Sequence, residues 1–511
     1  MSDSSLQHVD PTEIGSKARS GAFWSALQII GRNVLSIGTT ALLARMLAPE
    51  DYGLMGMVAT LTVLLLVFSD MGLSWATVQR RDLSSAQVSN LFWINAIVGL
   101  VLWAGCIAVA PFLARFYGEP EIESITMVMG ATFLIGGLAV QPFALMRRRM
   151  EFRQIAWIEI GAVVVSAIIA IIAAARGMGY WALVIQALAG QVFRLITALP
   201  VSGIQLHLPR SRVGTKSMVT FGGLLALNGL LIYVARHADS VLIGRFFGAE
   251  ELGYYDRAYF LMLLPSTLAT GVLANLMVPS LSALQDEQER FASAYRRALR
   301  MVAFVGCPLA AGLALVAHEA VLLVYGDQWS PVATLLVWLS IAGVTQPIYN
   351  TTGWLFTAKA KGKQYFGLTV MNAVALVAAL SLGVKWGAVG VAQAYGLMMG
   401  LVLIWPSMWL AHRAAGLSLF ATIDTLRPVA SCLVLMSAVV LVVGWASDVL
   451  GLPWWVVLLV KIASGVVAYG VAAVFWAREI IFVDVIPMLP KRMGRMVAKV
   501  GGIKRWGQDL G

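Results

Sequence analysis

Arg45-Met-Leu-Ala-Pro-Glu50-Asp-Tyr-Gly53-Leu and Arg245-Phe-Phe-Gly-Ala-Glu250-Glu-Leu-Gly253-Tyr align without a gap at an offset of 200 residues. Each decapeptide joins two long apolar runs, so each reads as the short loop of a helix–loop–helix hairpin. Six such runs lie in each repeat unit. Six is even, so both units enter the membrane in the same direction. This predicts two six-helix lobes related by a pseudo-twofold axis along the membrane normal, the parallel-repeat arrangement of transporters. Weaker echoes follow in the basic turns at Arg147–Arg149 and Lys359–Lys363, and in Gln186-Ala187 against Gln393-Ala394.

The composition fixes the solvent. Of 511 residues, 59% are apolar and 12% charged, with a mean hydropathy of +0.81. Soluble domains hold about 25% charged residues, so this chain has too few to cover a water-facing surface. Disorder is excluded by the same numbers. A spanning helix needs about 20 mostly apolar residues. Fourteen segments qualify: 21–46, 53–78, 86–110, 124–146, 154–175, 179–199, 217–245, 252–282, 297–318, 331–357, 364–384, 387–411, 427–447 and 453–477. The fold class is therefore an all-α polytopic membrane protein with about fourteen transmembrane helices. Its parts are a tail (1–20), an N-lobe (21–200), a linker (201–216), a C-lobe (217–411), an appended helix pair (427–477) and a basic tail (478–511). The first 20 residues carry Asp3, Asp10 and Glu13 and do not read as a cleavable signal.

Charge placement tests the count. With the N-terminus in the cytoplasm, 28 of the 37 Lys and Arg fall on the cytoplasmic side, including Arg147–Arg149, Arg194 and the tail from Arg478. Arg45, Arg115, Arg176, Arg245, Arg257 and Lys385 fall on the other side, and Arg32, Arg236 and Lys461 inside helices. A miscounted helix would invert this bias downstream, and it never inverts. Both termini are expected to be cytoplasmic.

Catalytic patterns do not stand out. The chain has no G-x-x-x-x-G-K-[ST], so no ATP site of its own is expected. Its five histidines give no metal spacing, and Cys106, Cys307 and Cys432 lie far apart in apolar runs as small core residues. No cofactor, metal or nucleic-acid partner is expected, and the chain is not expected to be an enzyme.

What remains is charge inside the bilayer, which is rare unless it faces water or a partner. In the first helix Gln28, Arg32, Ser36 and Thr40 form one polar stripe at four-residue spacing. In the seventh, Asn228, Arg236 and Asp239 lie close to one face. The repeat offset sets Arg236 opposite Ser36, one turn from Arg32. Two arginines at similar depth suit an anion, since the planar guanidinium matches phosphate oxygens. The alternative is that Arg236 simply pairs with Asp239 one turn on. Asp70 and Glu159 are candidates, with Asp239, for taking up a coupling ion, or else for structural pairing. Lys461 is expected to snorkel or to line a lateral groove. Tyr254, Tyr255, Tyr259 and Trp454-Trp455 read as interfacial anchors.

The runs Leu47-Ala-Pro-Glu50-Asp-Tyr-Gly53-Leu, Phe68-Ser-Asp70-Met-Gly-Leu73-Ser and Gln79-Arg80-Arg81-Asp82 carry a family resemblance. So do Phe116-Tyr117, Arg149-Met-Glu-Phe-Arg153, Ile243-Gly-Arg245, Leu252-Gly-Tyr-Tyr255 and Gly326-Asp-Gln-Trp329. Over residues 15–415 the chain resembles the bacterial polysaccharide flippases of the multidrug/oligosaccharidyl-lipid/polysaccharide exporter superfamily. Within them it is most like the branch exporting colanic and teichuronic acid precursors. The resemblance implies two lobes around a cationic cavity in the inner membrane. It also implies translocation of undecaprenyl-pyrophosphate-linked oligosaccharide from the cytoplasmic to the periplasmic leaflet, alongside polymerase and export machinery. A cation-coupled drug exporter of the same fold would want an acidic cavity. A polysaccharide polymerase or ligase would want a large external loop.

Overall fold

The computed structural model describes residues 14–70, 73–79, 83–207 and 237–480. Among these there are helices and turns and no strand. The chain packs as two compact units divided at Asp256. The first holds α1 (Ile14–Ala44), α2 (Pro49–Asp70), α3 (Leu73–Gln79), α4 (Ser85–Tyr117), α5 (Glu121–Arg148), α6 (Phe152–Ala175) and α7 (Trp181–Ser202), with the start of α8 (Ala238–Ala283). The second holds the rest of α8 and α9 (Gln288–Leu315), α10 (Ala317–Val324), α11 (Ser330–Ala358), α12 (Gly362–Gly383), α13 (Gly387–Leu397), α14 (Ile404–Ala415), α15 (Leu419–Val449) and α16 (Trp454–Trp476).

Among the described residues ten helices are long and apolar enough to cross a membrane, or eleven if the bent pair Ala238–Gly271 and Leu276–Ala283 is one span. Every one of the fourteen expected segments meets a helix, except that residues 217–236 of the seventh lie outside the described residues. Two expected segments, 364–384 and 387–411, form one long helical stretch, and Gly387 (φ 78°) turns the chain between them. Local chemistry sets the ends. Ser84 and Gln87 form a capping box at the start of α4, each side chain bonding the other's backbone N–H. Gly118 and Gly416 close α4 and α14 in the left-handed conformation that only glycine adopts without strain.

The repeated decapeptides touch each other. A β-carbon on Gly53 would fall on the Ala249 carbonyl, and one on Gly253 would fall on the Pro49 carbonyl. At the repeat offset, residue 53 corresponds to 253 and residue 49 to 249, so these are one contact made twice. Gly56 likewise meets Asp256, its own counterpart. The two hairpins are thus related by a local twofold, and the backbones approach so closely that only glycine fits. The turn between the arms of the second hairpin is Gly248, at φ 86°.

In the second unit the sequence-based expectation for Lys461 is corrected. Its ammonium does not snorkel; Nζ donates to Glu319 Oε1 at 2.6 Å, tying α16 to α10. The side chains are only 15% and 7% exposed. Gly444 of α15 makes the room, since a β-carbon there would stand 2.7 Å from Lys461 Cε. Nearby, Tyr469 of α16 donates to the Phe304 carbonyl of α9 at 2.8 Å. A buried pair costs little to replace whole and much to halve. Lys461→Met alone should therefore destabilise the protein by about 3–5 kcal/mol in detergent unfolding, while Lys461→Met with Glu319→Met should recover most of that loss. A silent Lys461→Met would show that the pair does not hold the appended helices.

Candidate functional site

Helix α1 has two exposed faces of opposite chemistry. Phe23, Leu27, Ile30 and Val34 are exposed along one stripe, with the composition of a lipid-facing surface. At about 100° per residue, Arg32 and Ser36 stand roughly 160° round from Val34 on either side, and both are exposed. Gln28 and Thr40 flank them, half-buried, and Ile29 is the one large apolar residue exposed on the arc between them. An exposed polar stripe on a spanning helix, set against an exposed apolar one, is the composition of a wall that meets water. The polar stripe read from the sequence thus lies together on one face.

Helix α6 lies along α1 in parallel register. Gly21 faces the Phe152 ring, where a β-carbon would stand 2.6 Å away, and Gly31 faces Ile160 at 3.5 Å. Between these levels the Trp24 and Trp157 rings lie 6.3 Å apart, and the Arg153 guanidinium stacks over Trp24 at 5.6 Å. Arg32 therefore sits at the depth of Glu159 and Ile160.

Glu159 is not alone there. Its Oε2 accepts from Arg194 Nε at 3.2 Å and lies 3.0 Å from Arg194 Nη2. Arg194 Nη1 also donates to Gln191 Oε1 at 3.3 Å. Both charged side chains point inward. Glu159 is opposite the exposed stripe Trp157, Val164, Ile168 and Ile172 of α6, and Arg194 is opposite Val192 and Ile196 of α7. The charge count places Arg194 at the cytoplasmic end of its helix; the structure instead sets it about two turns inside α7. The missed signal is the three-residue spacing of Gln191 and Arg194 in an otherwise apolar run.

The other candidates divide. Asp239 is buried at the start of α8, accepting from Tyr255 Oη at 2.8 Å and from the Ser240 N–H at 2.9 Å. Arg236 and Asn228 lie outside the described residues, as does the side chain of Asp70, the last residue of α2. Tyr255 is consequently no interfacial anchor: it is buried because its hydroxyl serves Asp239. Tyr259 also turns inward, sharing a 3.0 Å hydrogen bond with Tyr395. Trp454 and Trp455 are exposed, as expected of anchors.

Buried polar chains brace both units. Thr77 Oγ1 donates to Gln141 Oε1 at 2.7 Å, and Gln141 Nε2 donates to Asn95 Oδ1 at 3.0 Å. Arg148, from the basic turn, is buried and donates to the Thr77 carbonyl, which fastens α3 to α5. In the second unit Asn350 donates to Ser266, while Asn372 donates to both Tyr349 and Ser407. On the α4–α5 loop, burial and then the nearby Glu121 and Glu50 carboxylates raise the Glu119 pKa.

Comparisons place these features in a known setting. A family model described as polysaccharide biosynthesis protein matches residues 42–334. The lipopolysaccharide biosynthesis protein WzxC of Escherichia coli is 24% identical over 76% of this chain and 78% of its own length. The succinoglycan biosynthesis transport protein ExoT of Rhizobium meliloti is 25% identical over 76% and 79%. Among solved structures, the lipid II flippase MurJ in an inward closed conformation is similar at a TM-score of 0.72, with 14% identity over 90% of this chain and 99% of that one. A multidrug resistance MATE family transporter, inward-facing, is similar at 0.60 and 17% identity over 76% and 96%. These likenesses in shape establish the fold.

The two faces of α1 are testable by chemistry. The three native cysteines are buried, so labelling should report introduced thiols alone. Cysteine at Arg32 or Ser36 should react with a charged, water-soluble thiol reagent in nanodiscs, and cysteine at Val34 should not, because a thiol in lipid does not ionise. Equal reactivity at all three positions would remove the water-facing wall.

Proposed function

The chain belongs to the polysaccharide biosynthesis protein family, and from that premise we propose that it flips a lipid-linked oligosaccharide from the cytoplasmic to the periplasmic leaflet. It is a multi-pass membrane transport protein rather than an enzyme. The observation that carries the finer reading is the exposed polar stripe of α1, with Arg32 at its centre, facing away from the lipid-facing stripe. A diphosphate cannot cross hydrocarbon bare, because its charges would lose their solvation. A guanidinium on a wetted wall inside the membrane offers the hydrogen bonds and the charge that replace water.

In this reading the substrate is an oligosaccharide on an undecaprenyl pyrophosphate carrier. Arg32 and Arg236 hold the diphosphate, with Gln28, Ser36 and Asn228 beside them, and the sugars occupy the polar space while the polyprenyl tail stays in lipid. The two lobes, 21–200 and 217–411, open alternately to the two sides. Asp70, Glu159 and Asp239 are the groups through which an ion gradient drives the change, and that ion must bind the two states unequally. The termini lie in the cytoplasm, the membrane is the inner membrane, and the product passes to polymerase and export machinery.

In cells depleted of the protein, a probe confined to periplasmic headgroups should find less lipid-linked oligosaccharide outside and more retained inside, and re-expression should reverse this. Arg32→Ala and Arg236→Ala should each fail to restore export while still inserting at normal levels. Full restoration by both variants would overturn the two-arginine site. An unchanged leaflet distribution, with greater sensitivity to cationic drugs, would overturn the flippase reading.

A further inference from the structure

We propose that Arg194 is a further phosphate-binding cation of the first unit, and that Glu159 is a built-in counter-anion which occupies it while the site is empty. The inference rests on the diphosphate reading of Arg32 given above. Three observations carry it. The Glu159–Arg194 pair lies at the depth of Arg32, as the Gly31–Ile160 contact fixes the register of α1 and α6. Both side chains point away from the lipid-facing stripes of their own helices. The pair is also incompletely closed: the Arg194 side chain keeps 25% of its surface exposed, and Glu159 keeps 16%.

The bonding geometry agrees. Arg194 directs Nε and Nη2 onto a single carboxylate oxygen, Glu159 Oε2. A guanidinium edge of this kind binds best when each N–H meets its own oxygen, as carboxylate and phosphate forks do. Two oxygens of one phosphate would use the edge that Glu159 uses by one atom. Gln191, on Nη1, holds the group from the far side and need not move.

Charge explains why a counter-anion is present. A diphosphate diester carries two negative charges, and Arg194 adds a further guanidinium to the two, Arg32 and Arg236, proposed to hold it. Without substrate, two uncompensated cations at this depth would be costly. Glu159 cancels one of them and yields its place when a better-fitting anion arrives. The coupling candidate Glu159 thereby also competes with the substrate for the Arg194 guanidinium.

The test uses the full chain in nanodiscs with inorganic pyrophosphate as the probe, read by isothermal titration calorimetry. Glu159→Gln keeps a side chain of the same shape for Arg194 but removes the competing charge, and should tighten binding by roughly three- to tenfold. Arg194→Gln should weaken it by roughly tenfold. The double variant should follow Arg194→Gln, since without the arginine there is nothing for Glu159 to block; the opposite signs of the two single variants are what a merely structural pair, weakened alike from either side, would not give. Thermal unfolding of each variant separates lost binding from lost fold. If Arg32→Gln abolishes binding while Glu159→Gln and Arg194→Gln leave it unchanged, the pair is structural and this proposal fails alone. If the wild-type protein does not bind pyrophosphate, the diphosphate reading fails and takes this proposal with it.

Discussion

A charge inside hydrocarbon must be matched or wetted, and the placement of polar groups in this protein follows from that one constraint. Lys461 reaches inward past Gly444 to Glu319. Asp239 takes the Tyr255 hydroxyl and a backbone N–H. Glu159 and Arg194 answer each other across α6 and α7. Arg32 is the different case: it is exposed, and its helix turns a separate apolar face outward. Where the other charges are satisfied by partners, its surroundings have the composition of a wetted wall. That contrast singles it out among the charges of the described spanning helices.

Helix packing supports the same division of labour. Close backbone contacts among small residues rigidify the first unit: Gly99 and Gly137 let α4 and α5 approach so nearly that β-carbons there would strike the Phe133 and Asn95 carbonyls. Amide and hydroxyl chains then fix the register where apolar packing alone would not, as at Thr77, Gln141 and Asn95.

Much of this was legible in the sequence, and the reasons are specific. Hydropathy runs and loop charges gave the helices because length and polarity are set by the bilayer, not by tertiary detail. The repeat was visible at Gly53 and Gly253 because a backbone contact tolerates no other residue there. The four-residue spacing of Gln28, Arg32 and Ser36 predicts one face of α1, and the helix keeps them on one. Long-range partners were not legible. Lys461 and Glu319 are 142 positions apart, and nothing local to either announces the other. Loop charges put Arg194 at a helix end, since proximity to a loop in sequence does not reveal which way a side chain points. Tyr255 reads as an anchor in the sequence because the amphipathic ring that suits an interface also suits a buried carboxylate.

The exchange of contacts between the two decapeptides has a wider meaning. When Gly53 meets residue 249 and Gly253 meets residue 49, the chain makes within itself the isologous contact of a twofold homodimer. A true homodimer would be bound to keep its two halves identical. Joined in one polypeptide, the halves are free to differ wherever the backbone contact does not object, as Pro49 against Ala249 and Tyr52 against Leu252 already do. Tethering lets one symmetric contact join two unlike halves.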